Sequence, residues 1–162
     1  MSMGYAYALF GAAIATFMSG IGSSIGLGIA GRSAAGVLSE KPERYGLLTI
    51  LVVLPSTQGI YGFVIGLFVM LKLNVFGGGL EEVMTTQTGL SILAASLPVG
   101  IAGLFSGWHQ GKTCASGILM TAKRPDMCVK AGVVYSALVE FYAILGFLVS
   151  FLVIFIGLKD AI

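Results

Sequence analysis

Apolar residues run through this 162-residue chain in four long stretches that contain almost no charge. The stretches cover residues 1–31, 45–71, 83–111 and 131–158. Each exceeds the roughly 20 residues that a helix needs to cross a bilayer. The pattern therefore predicts an all-α membrane protein with four transmembrane helices, which we call the first to fourth spans, and it leaves no segment for a soluble domain.

Short polar breaks separate the spans. Pro42 lies in the first break, three consecutive glycines at 77–79 lie in the second, and Pro125 lies in the third. Glycine and proline in such positions indicate turns. We therefore expect the spans to pair as two antiparallel hairpins, residues 1–80 and residues 81–162.

The two hairpins resemble an internal repeat. Residues 60–64, Ile-Tyr-Gly-Phe-Val, resemble residues 144–148, Ile-Leu-Gly-Phe-Leu, at an offset of 84 positions. Under this offset Ser56 corresponds to Glu140. The repeat therefore predicts that the first hairpin has lost a carboxylate that the second hairpin keeps.

Basic residues are concentrated at the first and third breaks, which indicates the orientation in the membrane. The second break carries one lysine beside two glutamates, and only one basic residue lies near the C-terminus. The positive-inside rule then places the first and third breaks in the cytoplasm, and the second break and both termini outside. The basic residues at the two cytoplasmic breaks are Arg32, Lys41, Arg44, Lys112, Lys123, Arg124 and Lys130. Those of the outer side are Lys72, in the break that also contains Glu81 and Glu82, and Lys159.

Small residues form continuous helix faces in the first and third spans. In the third span, Gly100, Gly103, Gly107 and Gly111 follow a helical spacing and share one face. Such faces let helix backbones approach closely in lipid. Two interpretations remain open, namely packing among these four helices alone, and a crowded inner ring formed by the first and third spans of many copies.

Composition agrees with a membrane protein and excludes several functions. Hydrophobic residues make up 57% of the chain, charged residues 10%, and the mean hydropathy is +0.98. The net charge of +2 is spread over the breaks and does not favour nucleic acid as a partner. Cys114 and Cys128 have no metal-ligand spacing and are interpreted as small apolar residues. Without a phosphate-binding loop, a nucleophile motif or a metal cluster, the chain is expected to have no catalytic site of its own.

Glu140 is the exception to the apolar pattern, because no charged residue lies within nine positions on either side of it. A charge at the centre of a span costs roughly 2.5–3.5 kcal/mol on insertion scales, so such residues usually have a function. Glu140 is therefore predicted to meet an ion or a proton. The alternative is a carboxylate that only pairs two helices.

Three polar side chains are expected at the same depth as one another. Gln58, Gln110 and Glu140 each lie 13 or 14 residues from a charged residue of a cytoplasmic break, or roughly 20 Å along a helix. The side chains of Leu54, Thr57, Gln58 and Tyr61 share one helix face. Since Pro55 interrupts the backbone hydrogen bonding there, it can leave a carbonyl free to act as a ligand.

An all-oxygen set with one carboxylate favours Na⁺ or H⁺ over a divalent ion. The two glutamines and Thr57 favour Na⁺, because a proton needs fewer partners. In the proton alternative, the glutamines only join the helices by hydrogen bonds. Tyr61 either donates a hydrogen bond to Glu140 or fills space.

Three segments resemble one known family. Residues 54–63, LPSTQGIYGF, residues 106–112, SGWHQGK, and residues 140–147, EFYAILGF, are similar to the V-type ATPase proteolipid, the c or K subunit, and specifically to its sodium-pumping bacterial branch. The resemblance covers essentially the whole chain. Trp108 and His109 are not motif positions with an assigned role.

The resemblance implies a mechanism and a set of ligands. Identical copies would form a rotor ring in a bacterial plasma membrane, with the first and third spans inside and the second and fourth facing lipid. A stator membrane subunit would supply an arginine that displaces the ion, a central-stalk subunit would turn the ring, and ATP would be hydrolysed on other subunits. The residues implied to bind Na⁺ are Glu140, Gln110, Thr57, Gln58 and the Leu54 carbonyl, with Tyr61 donating a hydrogen bond to Glu140 in the occluded state.

Other classes of protein fit the sequence less well. A small secondary exporter with one membrane glutamate would need a substrate cavity with aromatic walls. A purely structural or pore-forming protein would have no reason to place Gln58, Gln110 and Glu140 at one depth. A proton-translocating ring remains an alternative. For Lys112, two positions stay open: its side chain extends to the cytoplasmic side or faces the interior of a ring.

Overall fold

The computed structural model describes residues 2–77 and 84–158, and within these ranges every regular element is helical. The α-helices are α1 (Met3–Leu38), α2 (Tyr45–Val53), α3 (Thr57–Lys72), α4 (Thr86–Lys123) and α5 (Val134–Leu152). A 3-10 turn, Leu54–Ser56, joins α2 to α3, and π-helical turns, Cys128–Val133 and Val153–Gly157, flank α5.

These elements form four helices that are long and apolar enough to cross a membrane, as the sequence predicted. They cover Met3–Leu38, Pro42–Gly77, Thr86–Lys123 and Cys128–Gly157. The first and third helices continue past the uncharged runs, through Arg32 and Lys112. The predicted turns at Pro42 and Pro125 lie at one end of the bundle, which we call the proline end. The predictions for Gly78, Gly79, Glu81, Glu82 and Lys159 lie outside the described residues.

The first and third spans form the centre of the helix packing. The most extensive contact joins α1 to α4, which belong to different predicted hairpins, and α3 and α5 then pack on the outside of this pair. Contacts between α1 and α3, and between α4 and α5, come next. Small residues make the contact between α1 and α4 possible, because their glycine faces let the two backbones touch.

Glycine is required where α1 meets α4. A Cβ atom added to Gly107 would lie 2.6 Å from the carbonyl carbon of Gly22, and one added to Gly111 would meet the backbone of Gly26. These glycines therefore pack within one chain. Gly20, Gly28 and Gly31 of α1 face open space instead, so the first span has a second small-residue face that no other part of the described chain covers.

The proline end is held together by polar contacts to backbone carbonyls. The ammonium group of Lys41 donates a hydrogen bond to the carbonyl of Ala122 at 2.7 Å, which ties the end of the first span to the end of the third. The ion pairs within each turn join Glu43 to Arg44 at 3.7 Å and Arg124 to Asp126 at 3.6 Å. At least one partner of each pair is exposed, so the pairs contribute little to stability.

Candidate ion-binding site

Gln58, Gln110 and Glu140 form a continuous chain of hydrogen bonds between three spans. Gln58 Nε2 donates to Gln110 Oε1 at 2.7 Å, and Gln110 Nε2 donates to Glu140 Oε2 at 3.2 Å. Both glutamines are fully buried. The depth that was predicted by counting residues from the breaks is therefore confirmed, and the three side chains belong to one cluster.

Tyr61 completes the environment of the carboxylate. Its hydroxyl donates to Glu140 Oε1 at 2.7 Å. Of the two roles considered for Tyr61, the hydrogen bond is the one observed. Each oxygen of Glu140 thus accepts one hydrogen bond, from Tyr61 on the second span and from Gln110 on the third.

Two serines take part in the cluster, and sequence reasoning missed both. Gln110 Nε2 also donates to the carbonyl of Ser136 at 3.1 Å. The hydroxyl of Ser106 accepts from Gln58 Nε2 at 3.3 Å and donates to the carbonyl of Val139 at 3.0 Å. The signal that could have found them is spacing, since Ser106 precedes Gln110 by four residues and Ser136 precedes Glu140 by four.

The turn at Pro55 differs from the expectation in one detail. The carbonyl of Leu54 is not free, because it accepts the backbone N–H of Thr57 and also the Thr57 hydroxyl, at 3.1 Å. The physical reason is the 3-10 turn, in which the N–H three residues later reaches the carbonyl. The Leu54 carbonyl and the Thr57 hydroxyl are therefore in contact where α3 begins. Thr57 is the residue directly before Gln58.

One buried oxygen of the cluster has no hydrogen-bond donor. Gln58 Oε1 is shielded from solvent and has no partner. Exchanging the positions of the oxygen and nitrogen in the Gln58 amide would not remove the unpaired acceptor. Gln110 Nε2 has to donate to Ser136 and Glu140, so Gln110 Oε1 is an acceptor and needs the Nε2 of Gln58 as its donor. An unpaired buried acceptor costs about 1–3 kcal/mol, so a hydrogen-bond donor or a cation beside this oxygen would stabilise the site.

The chemistry of the cluster suits a small, hard, singly charged species. It provides one carboxylate and two amide oxygens, with the hydroxyl of Tyr61 and the carbonyl of Ser136 beside them. The glutamines are buried and Glu140 is half-buried. Within residues 2–77 and 84–158, no group of three or more His, Cys, Asp or Glu side chains could hold a metal ion. A single carboxylate balances one positive charge, either a monovalent cation or a proton.

Trp108, His109 and Lys112 lie away from the site. All three are exposed, and the Lys112 ammonium lies 4.5 Å from the centroid of the Trp108 ring. Trp108 and Lys112 are each two positions from Gln110, so they point to the opposite side of α4. The Lys112 ammonium therefore lies over Trp108, one helical turn earlier in α4, in a cation–π contact.

Ser56, the predicted counterpart of Glu140, makes only a local contact. Its hydroxyl donates to the carbonyl of Val53 at 2.6 Å, within its own turn. Ser56 thus contributes no charge to the cluster described above.

Comparisons with known proteins match this chain to one family. The chain matches the family described as the C subunit of ATP synthase over residues 10–69 and again over residues 93–153. It is 44% identical over 151 residues to the K subunit of the V-type sodium ATPase of Enterococcus hirae, with 93% of this chain and 92% of that protein aligned.

More distant relatives agree. The chain is 35% identical over 144 residues to the K subunit of the A-type ATP synthase of Methanocaldococcus jannaschii, covering 89% of this chain and 60% of that protein. It is 28% identical over 123 residues to the 16 kDa proteolipid of the human V-type proton ATPase, covering 76% and 75%.

Family and geometry therefore agree, and the predicted resemblance to a rotary-ATPase proteolipid is confirmed. A half-buried carboxylate that accepts hydrogen bonds from two other membrane-length helices is an arrangement suited to carrying an ion. The chain belongs to the family of ATP synthase C subunits, the ion-translocating rotor-ring proteins of rotary ATPases, which leave ATP hydrolysis to other subunits.

Proposed function

We propose that this rotor-ring protein carries Na⁺ and binds it at Glu140. The observation that carries the proposal is the unpaired Gln58 Oε1, buried in the same hydrogen-bonded cluster as the carboxylate. A proton on Glu140 would leave this oxygen without a partner, whereas a cation between Gln58 and Glu140 gives it one. The name of the Enterococcus hirae relative, which describes a sodium ATPase, points the same way.

The proposed ligands are Glu140, Gln110, Gln58, Thr57 and the Leu54 carbonyl. An amide oxygen has two lone pairs, so Gln110 Oε1 can accept from Gln58 and still face a cation. The Thr57 hydroxyl likewise keeps its lone pairs while it donates to Leu54. The Leu54 carbonyl accepts two hydrogen bonds from Thr57, so it would exchange the one from the hydroxyl for the ion. Five neutral or anionic oxygens thereby replace the hydration shell of the ion, and only one of them carries charge.

Tyr61 is proposed to close the site. With Na⁺ bound, Glu140 is neutralised, and the hydroxyl of Tyr61 holds the carboxylate in place from the side of the second span. A neutral, internally hydrogen-bonded site can face lipid as the ring turns, whereas a bare carboxylate in lipid is costly. Rotation of the occupied site past lipid therefore needs both the ion and the Tyr61 hydrogen bond.

The proposed partners are further copies of this chain, a stator membrane subunit that supplies an arginine, and a central-stalk subunit. In the ring, the first and third spans lie inside and the second and fourth outside. The central position of α1 and α4 supports this, as does the uncovered small-residue face at Gly20, Gly28 and Gly31, which suits another copy. The arginine would compete with the ion for Glu140, as one cation displaces another.

We further propose that residues 1–80 and 81–162 are duplicated hairpins. Two separate family matches, at 10–69 and 93–153, support this division. The excess of basic residues at the proline end supports its placement in the cytoplasm, with both termini outside, and the bacterial sodium ATPase relative supports a bacterial plasma membrane.

Proton transport is the second candidate. A protonated Glu140 could donate its proton to the Tyr61 hydroxyl oxygen, 2.7 Å away, while Gln110 donates to its other oxygen, and a site that binds only a proton needs no more partners. The human relative is named as part of a proton ATPase. In this case the two glutamines would serve only to join the spans.

The experiment that separates the two candidates is labelling of Glu140 by dicyclohexylcarbodiimide in the purified protein. This reagent attacks a protonated carboxyl in an apolar setting. We expect Na⁺ to slow labelling in a concentration-dependent way at constant pH, while the same concentration of K⁺ has little effect. Labelling that responds to pH alone would replace Na⁺ with H⁺ as the transported ion. Glu140→Gln serves as the unlabelled control.

A further inference from the structure

We propose that Phe147 is a positioning residue that holds the Tyr61 hydroxyl on Glu140 and thereby sets how readily the ion-binding site opens. The inference deepens the proposed function and rests on it, because it concerns the opening of that same site. Its basis is the contact between the two aromatic rings and the way in which Phe147 is supported from behind.

The ring of Tyr61 is confined at both ends. Its hydroxyl lies 2.7 Å from Glu140 Oε1, and its ring centroid lies 5.7 Å from that of Phe147, in a tilted arrangement. Phe147 follows Glu140 by seven residues, two helical turns further along the same face of α5. The side chain of Tyr61 therefore lies over one face of α5, with Glu140 at its polar tip and Phe147 against its apolar body.

The backbone of Tyr61 is fixed independently. The neighbouring Gly62 packs so closely on α1 that an added Cβ would collide with the Ala15 carbonyl and the Ser19 side chain. The second span cannot shift toward α1 at this level. What remains free is rotation of the Tyr61 side chain, and Phe147 occupies the space on one side of it.

Phe147 cannot easily yield, because it is the first ring of an aromatic column. Phe147 and Phe151 stack with centroids 6.0 Å apart, and Phe151 and Phe155 stack at 4.7 Å. Phe68 of α3 packs against the side of the column, 6.1 Å from Phe151 and 5.1 Å from Phe155. The column fills the seam between the second and fourth spans on the side of Glu140 away from the proline end.

The far end of the column is anchored by a lysine. The Lys72 ammonium donates a hydrogen bond to the carbonyl of Ile154 at 3.1 Å and lies 5.8 Å from the centroid of the Phe155 ring. The column is therefore braced from the anchored end to the ring that touches Tyr61. Removing Phe147 would open space beside Tyr61 without changing any proposed ligand of the ion.

The test compares two equal truncations in the same column. Phe147→Ala removes the ring that touches Tyr61, and Phe155→Ala, the matched control, removes a ring two positions further along the column. The readouts on purified rings are the rate of carbodiimide labelling of Glu140 without Na⁺ and the Na⁺ concentration that halves this rate. Tyr61→Phe, which lacks the hydroxyl, is expected to raise the half-protecting concentration about tenfold. We expect Phe147→Ala to raise the half-protecting Na⁺ concentration about three- to tenfold, and Phe155→Ala to raise it less than about twofold.

A double variant separates positioning from a general loss of packing. If Phe147 acts through the Tyr61 hydroxyl, Tyr61→Phe combined with Phe147→Ala should resemble Tyr61→Phe alone, because the interaction has already been lost. If the increases in half-protecting Na⁺ concentration caused by Tyr61→Phe and Phe147→Ala multiply in the double variant, the inference is overturned. Equal increases for Phe147→Ala and Phe155→Ala would also overturn it. Phe147→Leu, which keeps apolar bulk and supports assembly, should lie between wild type and Phe147→Ala.

The outcome can be told apart from a failure of the proposed function. Wild-type labelling that ignores Na⁺ would contradict the proposed ion, yet the labelling rates of the same variants would still report on the position of Tyr61. Wild-type labelling that Na⁺ protects, together with an unchanged Phe147→Ala variant, would leave the proposed function standing and remove Phe147 from it.

Discussion

Gln110 Nε2 lies 3.2 Å from Glu140 Oε2, and this hydrogen bond sets the direction of the one between Gln58 and Gln110. Because the amide nitrogen of Gln110 faces the carboxylate, its oxygen faces Gln58 and receives the Gln58 nitrogen. Gln58 Oε1 is then left over as a buried acceptor. One amide orientation thus produces both a held carboxylate and an oxygen ready for a cation.

Glu140→Gln should abolish ion transport while the ring still assembles. The substitution keeps the size and an acceptor oxygen for Tyr61, but it removes the only charge in the site, so a cation has nothing to neutralise it. ATP-driven Na⁺ uptake into vesicles and the ring band on a mild-detergent gel measure the two effects. Retained uptake would contradict the role of Glu140.

Gln110→Ala should weaken Na⁺ binding by at least about tenfold, since hydrogen bonds to a charged group contribute roughly 1.5–3 kcal/mol. It removes the donor to Glu140 and the acceptor of Gln58 together. The Na⁺ dependence of ATP hydrolysis by the assembled enzyme provides the measurement. His109→Ala, an exposed neighbour on the same helix, is the matched control and should leave that dependence unchanged. Similar shifts for both variants would count against Gln110 as a ligand.

Ser106→Ala should weaken Na⁺ binding by only about two- to threefold and lower the stability of the fold by about 1 kcal/mol, the usual contribution of a neutral hydrogen bond. The serine hydroxyl orients Gln58 and satisfies the Val139 carbonyl, but it is not a proposed ligand. Isothermal titration with Na⁺ and thermal unfolding of the purified ring measure the two effects. A loss of binding as large as that of Gln110→Ala would make Ser106 a ligand itself.

Gly107→Ala and Gly28→Ala should act at different levels of structure. An added methyl on Gly107 collides with the backbone of Gly22, and such overpacking costs about 1–3 kcal/mol, so the chain itself should be less stable. A methyl on Gly28 meets open space within the chain, so only contacts with another copy can be affected.

Thermal unfolding of the dissociated chain and the fraction assembled into rings distinguish these two effects. We expect Gly107→Ala to lower the unfolding temperature, and Gly28→Ala to lower the assembled fraction without doing so. Full assembly of Gly28→Ala would show that this face does not meet a neighbouring copy.

The depth of the site could be predicted from sequence because the rise of a helix is constant. Counting from the breaks brought Gln58, Gln110 and Glu140 to one level, and they are hydrogen-bonded to one another. Counting gives no rotation about the helix axis and no choice of partner. The roles of Ser106 and Ser136 depend on which faces meet, so they were not predictable in this way.

Local backbone geometry was the second feature that could not be predicted from the sequence. Pro55 correctly indicated a distorted turn, but the partners of the Leu54 carbonyl depend on the 3-10 geometry that the turn adopts. Likewise, the glycine spacing predicted close helix packing, but it did not show that the most extensive contact joins α1 to α4, because spacing along one helix does not identify the helix it meets.

The backbone contact between α1 and α4 bears on the number of copies in the proposed ring. Where Gly22 and Gly26 meet Gly107 and Gly111, no side chain separates the helices, so nothing at this seam can be compressed or repacked. The spacing of α1 and α4 within one copy is thereby set by contact between their backbones. In the proposed ring this spacing is one of the dimensions that set how many copies close the circle, and hence how many ions cross the membrane for each ATP consumed.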